Sequence, residues 1–251
     1  AGGTVLFPTV NNSQFNGTNG SSYTLTWTIS NGGCTSSDDV VISFPLLPEK
    51  PAAFVLYDDA VCQGDLGVDY SVSNNPSLTY TWSYSALGGS IVGSGNAIEI
   101  DFANNALSGT VSVYTTNGCG DSAPLTLAVT VNERPTATLA IVPSFGNICD
   151  GDNTEITVTL TGGTSPYEFE ITNGTSTETI TGATTPYSFT PLVINKPVWL
   201  GPDASKTYTY SIPTVTSANG CSNTGSNTVN VVVWKIPETG PQYHVPNTYG
   251  F

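Results

Sequence analysis

The sequence predicts an all-β chain assembled from tandem β-sandwich modules, and three observations carry that prediction. Apolar residues alternate with polar ones at period 2 along the whole chain. Asn-Gly and Gly-Gly turn pairs punctuate the alternating runs. Two short cysteine-bearing elements recur at nearly constant intervals. Strands that bury one face read with period 2 because successive side chains point to opposite sides of a sheet. No apolar stripe of period 3.6 reaches helical length.

Taken in order, Tyr23, Leu25, Trp27 and Ile29 alternate with threonine and serine, as do Leu78, Tyr80, Trp82 and Tyr84. Ile98, Ile100 and Phe102 flank Glu99 and Asp101, and Leu125, Leu127, Val129 and Val131 form a further row. Ile156/Val158/Leu160, Tyr167/Phe169/Ile171 and Val229/Val231/Val233 continue the pattern. Asn-Gly pairs at 16–17, 31–32, 117–118, 173–174 and 219–220 supply hairpin turns.

Self-comparison sets the organisation. An Asn-Gly-(Gly)-Cys element ends at Cys34, Cys119 and Cys221, each time just after a strand run. A Cys-x-Gly-Asp element spans Cys62–Asp65 and Cys149–Asp152, each time just before one. The intervals between like elements suit a sandwich of about 100 residues. The expected domains are therefore 1–45, the C-terminal part of a module; 46–132 and 133–236, two complete modules; and 237–251, a proline-containing tail. Prolines 45, 48, 51, 135 and 143 mark the junctions and stiffen them. The missing front half of the first module implies a chain cut from a longer protein.

Composition narrows the function. Five Lys+Arg against 19 Asp+Glu leave a net charge of −14, which argues against nucleic acid, whose phosphates need clustered Lys/Arg, and equally against an anionic membrane surface. Only 10% of residues are charged, against about 25% in ordinary soluble proteins, so the surface is Thr, Ser, Asn and Gly. No apolar run reaches a membrane span, so no direct membrane insertion is expected. Ala1 opens no signal peptide, so any export signal is removed or lies outside the chain.

Under the repeat reading, the five cysteines resolve into Cys62–Cys119, Cys149–Cys221 and an unpaired Cys34. Closing the Cys62–Cys119 loop would stabilise a module by ~4 kcal/mol in the chain-entropy view. Metal is the rival, but no CxxC pair exists and the single histidine is His244, so zinc has no ligand set. Disulfides imply an oxidising compartment.

Several runs resemble PKD-like modules, which occur in tandem in large surface proteins of Bacteroidota. They are Tyr80–Ser83, Gly88–Val92, Ile98–Phe102, Gly109–Val113 and Asn117–Gly120. The stretch from Ile148–Asp152 through Gly163–Tyr167 to Asn219–Cys221 is similar to a sister Ig/PKD-like type, and Tyr23–Cys34 resembles the end of a third. The resemblance implies tandem Ig-like/PKD-like sandwiches, type IX secretion, and a role as gliding-motility-type adhesin, stalk or spacer. No secretion-signal domain is visible.

The candidate site residues each have a plain structural reading. Trp82 reads as a core tryptophan, as in immunoglobulin-like sandwiches. Trp234 falls out of phase with its valine row and should point away from it. Trp199, between Pro197 and Pro202, is the best exposed candidate for ligand contact. Asp150 and Asp152 could hold Ca²⁺, because closely spaced carboxylates in turns are how β-modules ligate it; Asp58-Asp59 and Asp65 with Asp69 are weaker candidates. These residues are also ordinary turn formers, and otherwise no cofactor is expected. Asp121-Ser122-Ala123 matches the short O-glycosylation motif of Bacteroidota, with Ser122 the acceptor. Neither a Gly-x-Ser-x-Gly nor a P-loop appears, and His244 in a proline-rich tail is a poor base.

The expected function is thus a non-catalytic repeat segment of a large extracellular or cell-surface bacterial protein, an adhesin or stalk. Its expected partners are other modules of the same longer chain, and surface glycans or other surface proteins. The alternatives are a carbohydrate-binding or spacer region of a secreted polysaccharide-degrading enzyme, or a subunit of an extracellular filament completed by another chain's strands.

Overall fold

The computed structural model describes residues 2–142, 146–190 and 204–237. Every regular element among them is a β-strand. The chain divides into two compact units, Ala1–Val131 and Asn132–Phe251.

The first unit opens with β1 (Thr4–Leu6), β2 (Gln14–Asn16), β3 (Ser21–Asn31) and β4 (Cys34–Phe44). β1 pairs with β2, and β3 with β4 forms a long hairpin in register from Ser21 opposite Phe44 to Asn31 opposite Cys34. Gly32 and Gly33 close it with φ of 57° and 89°, a left-handed pair that a two-residue hairpin turn demands. Phe15, Tyr23 and Phe44 meet edge-on, with Tyr23 ring centroids 4.9 Å and 5.9 Å from the other two. No residue from 2 to 50 is buried. The segment has regular strands and no core.

Nine strands follow: β5 (Phe54–Leu56), β6 (Ala60–Cys62), β7 (Val68–Val72), β8 (Thr79–Tyr84), β9 (Gly89–Ser94), β10 (Ala97–Phe102), β11 (Gly109–Asn117), β12 (Gly120–Asp121) and β13 (Leu125–Asn132). One sheet runs β5-β7-β10-β9 and the other β12-β11-β13-β6, with β8 on the free side of β11. Tyr70, Ile98, Ile100 and Phe102 of the first sheet pack on Val61, Val111 and Val129 of the second. Removing each large side chain from water contributes about 1.5–3 kcal/mol. Glu99, between Ile98 and Ile100, faces solvent as the alternation demands.

The second unit holds β14 (Thr136–Val142), β15 (Asn147–Cys149), β16 (Glu155–Thr161), β17 (Tyr167–Thr172), β18 (Thr177–Ala183), β19 (Tyr187–Phe189), β20 (Ser205–Ser217), β21 (Ser222–Asn223) and β22 (Thr228–Trp234). Its sheets run β14-β16-β19 and β15-β22-β20-β17-β18, with β21 on β20. Ile156, Val158 and Leu160 pack against Phe169, Ile171, Val231 and Val233. The strand leading into each Asn-Gly-Cys element is flanked on both sides in the two sandwiches: β11 by β8 and β13, and β20 by β17 and β22. Its counterpart in the first segment, β3, pairs with β4 alone among the described residues.

Buried tyrosines give these cores a pH dependence. Tyr70 is 0% exposed and its Oη donates to the Asp58 carbonyl at 2.8 Å. Burial first, then the Asp58 carboxylate, pushes its phenol well above the usual value; burial also raises Tyr84 and Tyr210. The folded state therefore keeps its protons while unfolded tyrosines lose theirs near pH 10. The stabilisation is complete below that pH and is lost as pH rises beyond it. Urea midpoints should be flat from pH 7 to 9 and fall steeply above 10, and Tyr70→Phe should shallow the fall. An unchanged slope in that variant would exclude Tyr70 as a source.

Candidate functional sites

The two cysteine elements are built the same way in both sandwiches. In Cys62–Asp65 the Cys62 N–H donates to Asp65 Oδ2 at 2.7 Å, and the Asp65 N–H returns to the Cys62 carbonyl at 3.1 Å. Cys149–Asp152 repeats both bonds, at 3.2 Å and 3.0 Å. Gly64 and Gly151 carry φ of 82° and 94°, a backbone that L side chains rarely adopt and that explains the invariant third position of the repeat within this chain. At the other element, Asn117 Oδ1 accepts from the Cys119 N–H at 2.8 Å, and Asn219 Oδ1 from the Cys221 N–H at 3.4 Å.

The cysteine pairing differs from the one the repeats lead one to expect. Cys119 and Cys149 are exposed free thiols, as is Cys34, while Cys62 and Cys221 each belong to a disulfide. The reason is sheet geometry. Gln63 Nε2 donates to the Ala106 carbonyl at 3.1 Å and Gly64 N–H to Ala103 at 3.3 Å, which sets the Cys62 turn beside the approach to β11. Cys119 follows the far end of that nine-residue strand, roughly 25 Å away at ~3.4 Å per residue. The two also lie at opposite edges of the sheet, since β6 and β12 are its outer strands. In the second sandwich Cys149 lies opposite Trp234, which lies opposite Ser205 at the start of β20. Cys221 lies beyond Ser217 at the end of that 13-residue strand, about 40 Å off. A disulfide needs Cα atoms within ~7 Å. Neither within-module pair can form.

Two of the calcium candidates take part in turn hydrogen bonds. Asp152 Oδ2 receives Cys149 N–H, and the Asp150 N–H donates to the Trp234 carbonyl at 2.8 Å. Asp65 is the matching turn residue of the first sandwich. Among the described residues no three His, Cys, Asp or Glu side chains gather as a metal site. Adding a chelator should shift the melting temperature by less than a few degrees. A larger drop, abolished by Asp150→Ala with Asp152→Ala, would reveal a bound cation through mass-action linkage.

The remaining candidates fall as follows. Trp82 is half-buried against the first core, and its Nε1 donates to the Gly95 carbonyl at 2.8 Å. Trp234 is 47% exposed while Val231 and Val233 are buried, so it does lie on the other face; its Nε1 donates to Asn147 Oδ1 at 3.3 Å. Ser122 is half-buried; its Oγ accepts from the Thr115 N–H at 3.0 Å and donates to the Ala123 carbonyl at 2.9 Å. Trp199 and His244 lie outside the described residues.

One feature escaped the sequence reading. Val5, Pro8, Val10, Leu25, Trp27 and Val40, with Asp38 and Asp39, line an open groove of ≈ 420 Å³. Register builds it, since Trp27 sits opposite Asp38 and Thr26 opposite Asp39. Trp27 is 44% exposed. An aromatic face beside two carboxylates can stack on a sugar ring while accepting from its hydroxyls. Asp38 and Val40 lie opposite Trp27 and Leu25 across the Asn31-Gly32-Gly33 turn, a pairing that only the register reveals.

Comparison with known proteins adds the following. Residues 48–129 match the family model of a PKD-like domain. No curated protein matches the chain. Among solved structures, the N-terminal eight Ig domains of Down Syndrome Cell Adhesion Molecule share 11% identity at a TM-score of 0.45, over 93% of this chain and 30% of that one. The FN1–FN3 domains of chicken CNTN1 share 13% at 0.34, over 84% and 75%. Domains A168–A170 of titin share 13% at 0.32, over 86% and 75%. The described residues are all-β and form two β-sandwiches, the first of which holds the stretch that matches the PKD-like domain. Disulfide-bonded cysteines point to an oxidising, extracellular-type compartment. No helix among the described residues is long and apolar enough to cross a membrane.

Proposed function

We propose that the chain is a repeat segment of a large cell-surface or secreted bacterial protein, acting as an adhesin or stalk module, in the manner of type IX-secreted gliding adhesins of Bacteroidota. In this reading 1–45 is the end of one module, 46–132 and 133–236 are complete modules, and 237–251 is a connecting tail. The observation that carries it is the recurrence of one architecture with identical hydrogen-bonded cysteine turns in two consecutive sandwiches. Repetition of a scaffold serves length and display. Pulling on the two termini of single molecules under reducing conditions should give one discrete unfolding event per sandwich. A single event, or none, would sink the stalk role.

A second reading, glycan binding, is favoured by the Trp27 groove with Asp38 and Asp39. A glycan array decides between them, with Trp27→Ala and Trp199→Ala as controls. Binding lost in either variant favours an accessory region of a polysaccharide-degrading enzyme, whereas no binding leaves the stalk. The open side of β3 suits a third role, as a filament subunit, because an unpaired strand edge templates another strand. That role predicts concentration-dependent filaments from this chain alone.

A further inference from the structure

β3 is an edge strand without the usual defences. With β4 it is the longest strand at a sheet edge among the described residues, eleven residues against at most seven elsewhere. It holds no Lys, Arg, Asp, Glu or Pro and pairs with β4 without a bulge, so nothing twists or charges the edge away from a further strand. The two-residue turn fixes which groups face outward. The Asn31 carbonyl and the Cys34 N–H close that turn. By alternation, Thr24, Thr26, Thr28 and Ser30 aim their N–H and C=O groups at the free side.

The two complete sandwiches show what such an edge takes. Four residues before the turn asparagine, Trp27 stands where Val113 and Val215 stand in β11 and β20. Those valines are buried and lie opposite Trp82 of β8 and Phe169 of β17, antiparallel strands on the side that β3 leaves open. One difference sets the first segment apart. On the hairpin side Val113 has Leu125 opposite it, whereas Trp27 has Asp38. A purely apolar strand laid on β3 would press that carboxylate against hydrocarbon with no counter-charge. A Lys or Arg side chain satisfies both groups, its stem over the indole face and its head at the carboxylate. The added strand stands two steps of about 4.8 Å from β4, a span that a long cation and an aspartate bridge together.

We infer that the free edge of β3 is a docking site for an extended segment of a different protein, added as an antiparallel strand, with a Lys or Arg opposite Trp27 that reaches Asp38. The segment's alternate apolar side chains enter the groove lined by Val5, Leu25 and Val40, as in strand-addition recognition. Charge selects against a second copy of this chain, which would bring a net −14 to an acidic face. A sugar would leave the row of outward backbone groups unused. Such a partner shares only the open edge with the filament role, which needs copies of the chain itself.

The test titrates the 251-residue chain into the labelled peptide Ser-Val-Thr-Val-Thr-Lys-Thr-Val-Ser, whose valines and lysine share one face, and follows fluorescence anisotropy. One-to-one binding is expected, weakening as salt rises, with slowed hydrogen exchange from Thr24 to Ser30. Glutamate in place of the peptide's lysine, or Trp27→Ala in the protein, should each weaken binding at least about fivefold. Asp38→Lys should reverse the preference toward the glutamate peptide. Thr26→Pro removes an outward N–H while leaving the β4 ladder intact, so it should abolish binding. Equal binding of the lysine and glutamate peptides, or binding that survives Thr26→Pro, would overturn the inference. So would absence of peptide binding, which gives the groove to a glycan if the array shows Trp27-dependent binding, or to a second copy if the chain self-associates. Filaments of the chain alone, looked for without peptide, test the filament role separately.

Discussion

Phe102→Ala is expected to destabilise the first sandwich by about 3–5 kcal/mol, the usual cost of emptying a fully buried aromatic site. Phe102 is 0% exposed and its ring stands edge-on to Tyr84 with centroids 5.5 Å apart. Its N–H also donates to the Asp65 carbonyl at 2.7 Å, so the ring that fills the core lies in the same residue that anchors the Cys62 turn. Domains are stable by only about 5–15 kcal/mol, so one truncation here removes about a fifth or more. Ile29→Ala, at a side chain 59% exposed on the β3 hairpin, should change stability by less than about 0.5 kcal/mol. Urea unfolding followed by tryptophan emission separates the two. Equal shifts in both variants would mean that the core is not where Phe102 sits.

The strands were legible because a half-buried sheet leaves no freedom in its pattern. Ile98, Ile100 and Phe102 must alternate with Glu99 and Asp101, or the row would turn its charges inward. The cysteine turns were half legible: Gly64 and Gly151 with their following aspartates announce a turn, but the carboxylates cap Cys62 and Cys149 rather than gather at one point. The pairing was not legible. Sequence intervals count residues between cysteines and say nothing about which end of a sheet each occupies. That depends on the direction and length of β11 and β20, which carry Cys119 and Cys221 to the end of each sandwich away from Cys62 and Cys149. The Trp27 groove was hidden for a related reason. An alternating row announces a buried face, and only the absence of an opposing sheet leaves this one open.

The same absence sets the second large expected effect, in hydrogen exchange. Amides of β3 from Thr24 to Ile29 should exchange about 1,000-fold faster than those of Val111 and Val113. The β3–β4 hairpin has eleven-residue strands in continuous register, yet none of its side chains is buried. A two-stranded ribbon without a packed face is marginal in water. It opens at a cost near zero, whereas Val111 and Val113, both 0% exposed, open only with the sandwich. A gap of about 4 kcal/mol corresponds to that thousandfold ratio, at 1.4 kcal/mol per factor of ten. Trp27, 44% exposed, also stays wet, forgoing roughly 1.5–3 kcal/mol that burial would contribute. In β11 and β20 the corresponding side chains meet an opposing sheet, and the flank left open in β3 is taken by β8 or β17. A strand of that kind added to β3, from upstream sequence or a second chain, should therefore slow exchange at Thr24–Ile29 toward the rate of Val113. Slow exchange there in a dilute monomer with nothing added would show that residues 1–45 complete a core of their own, and the covering strand would have no role.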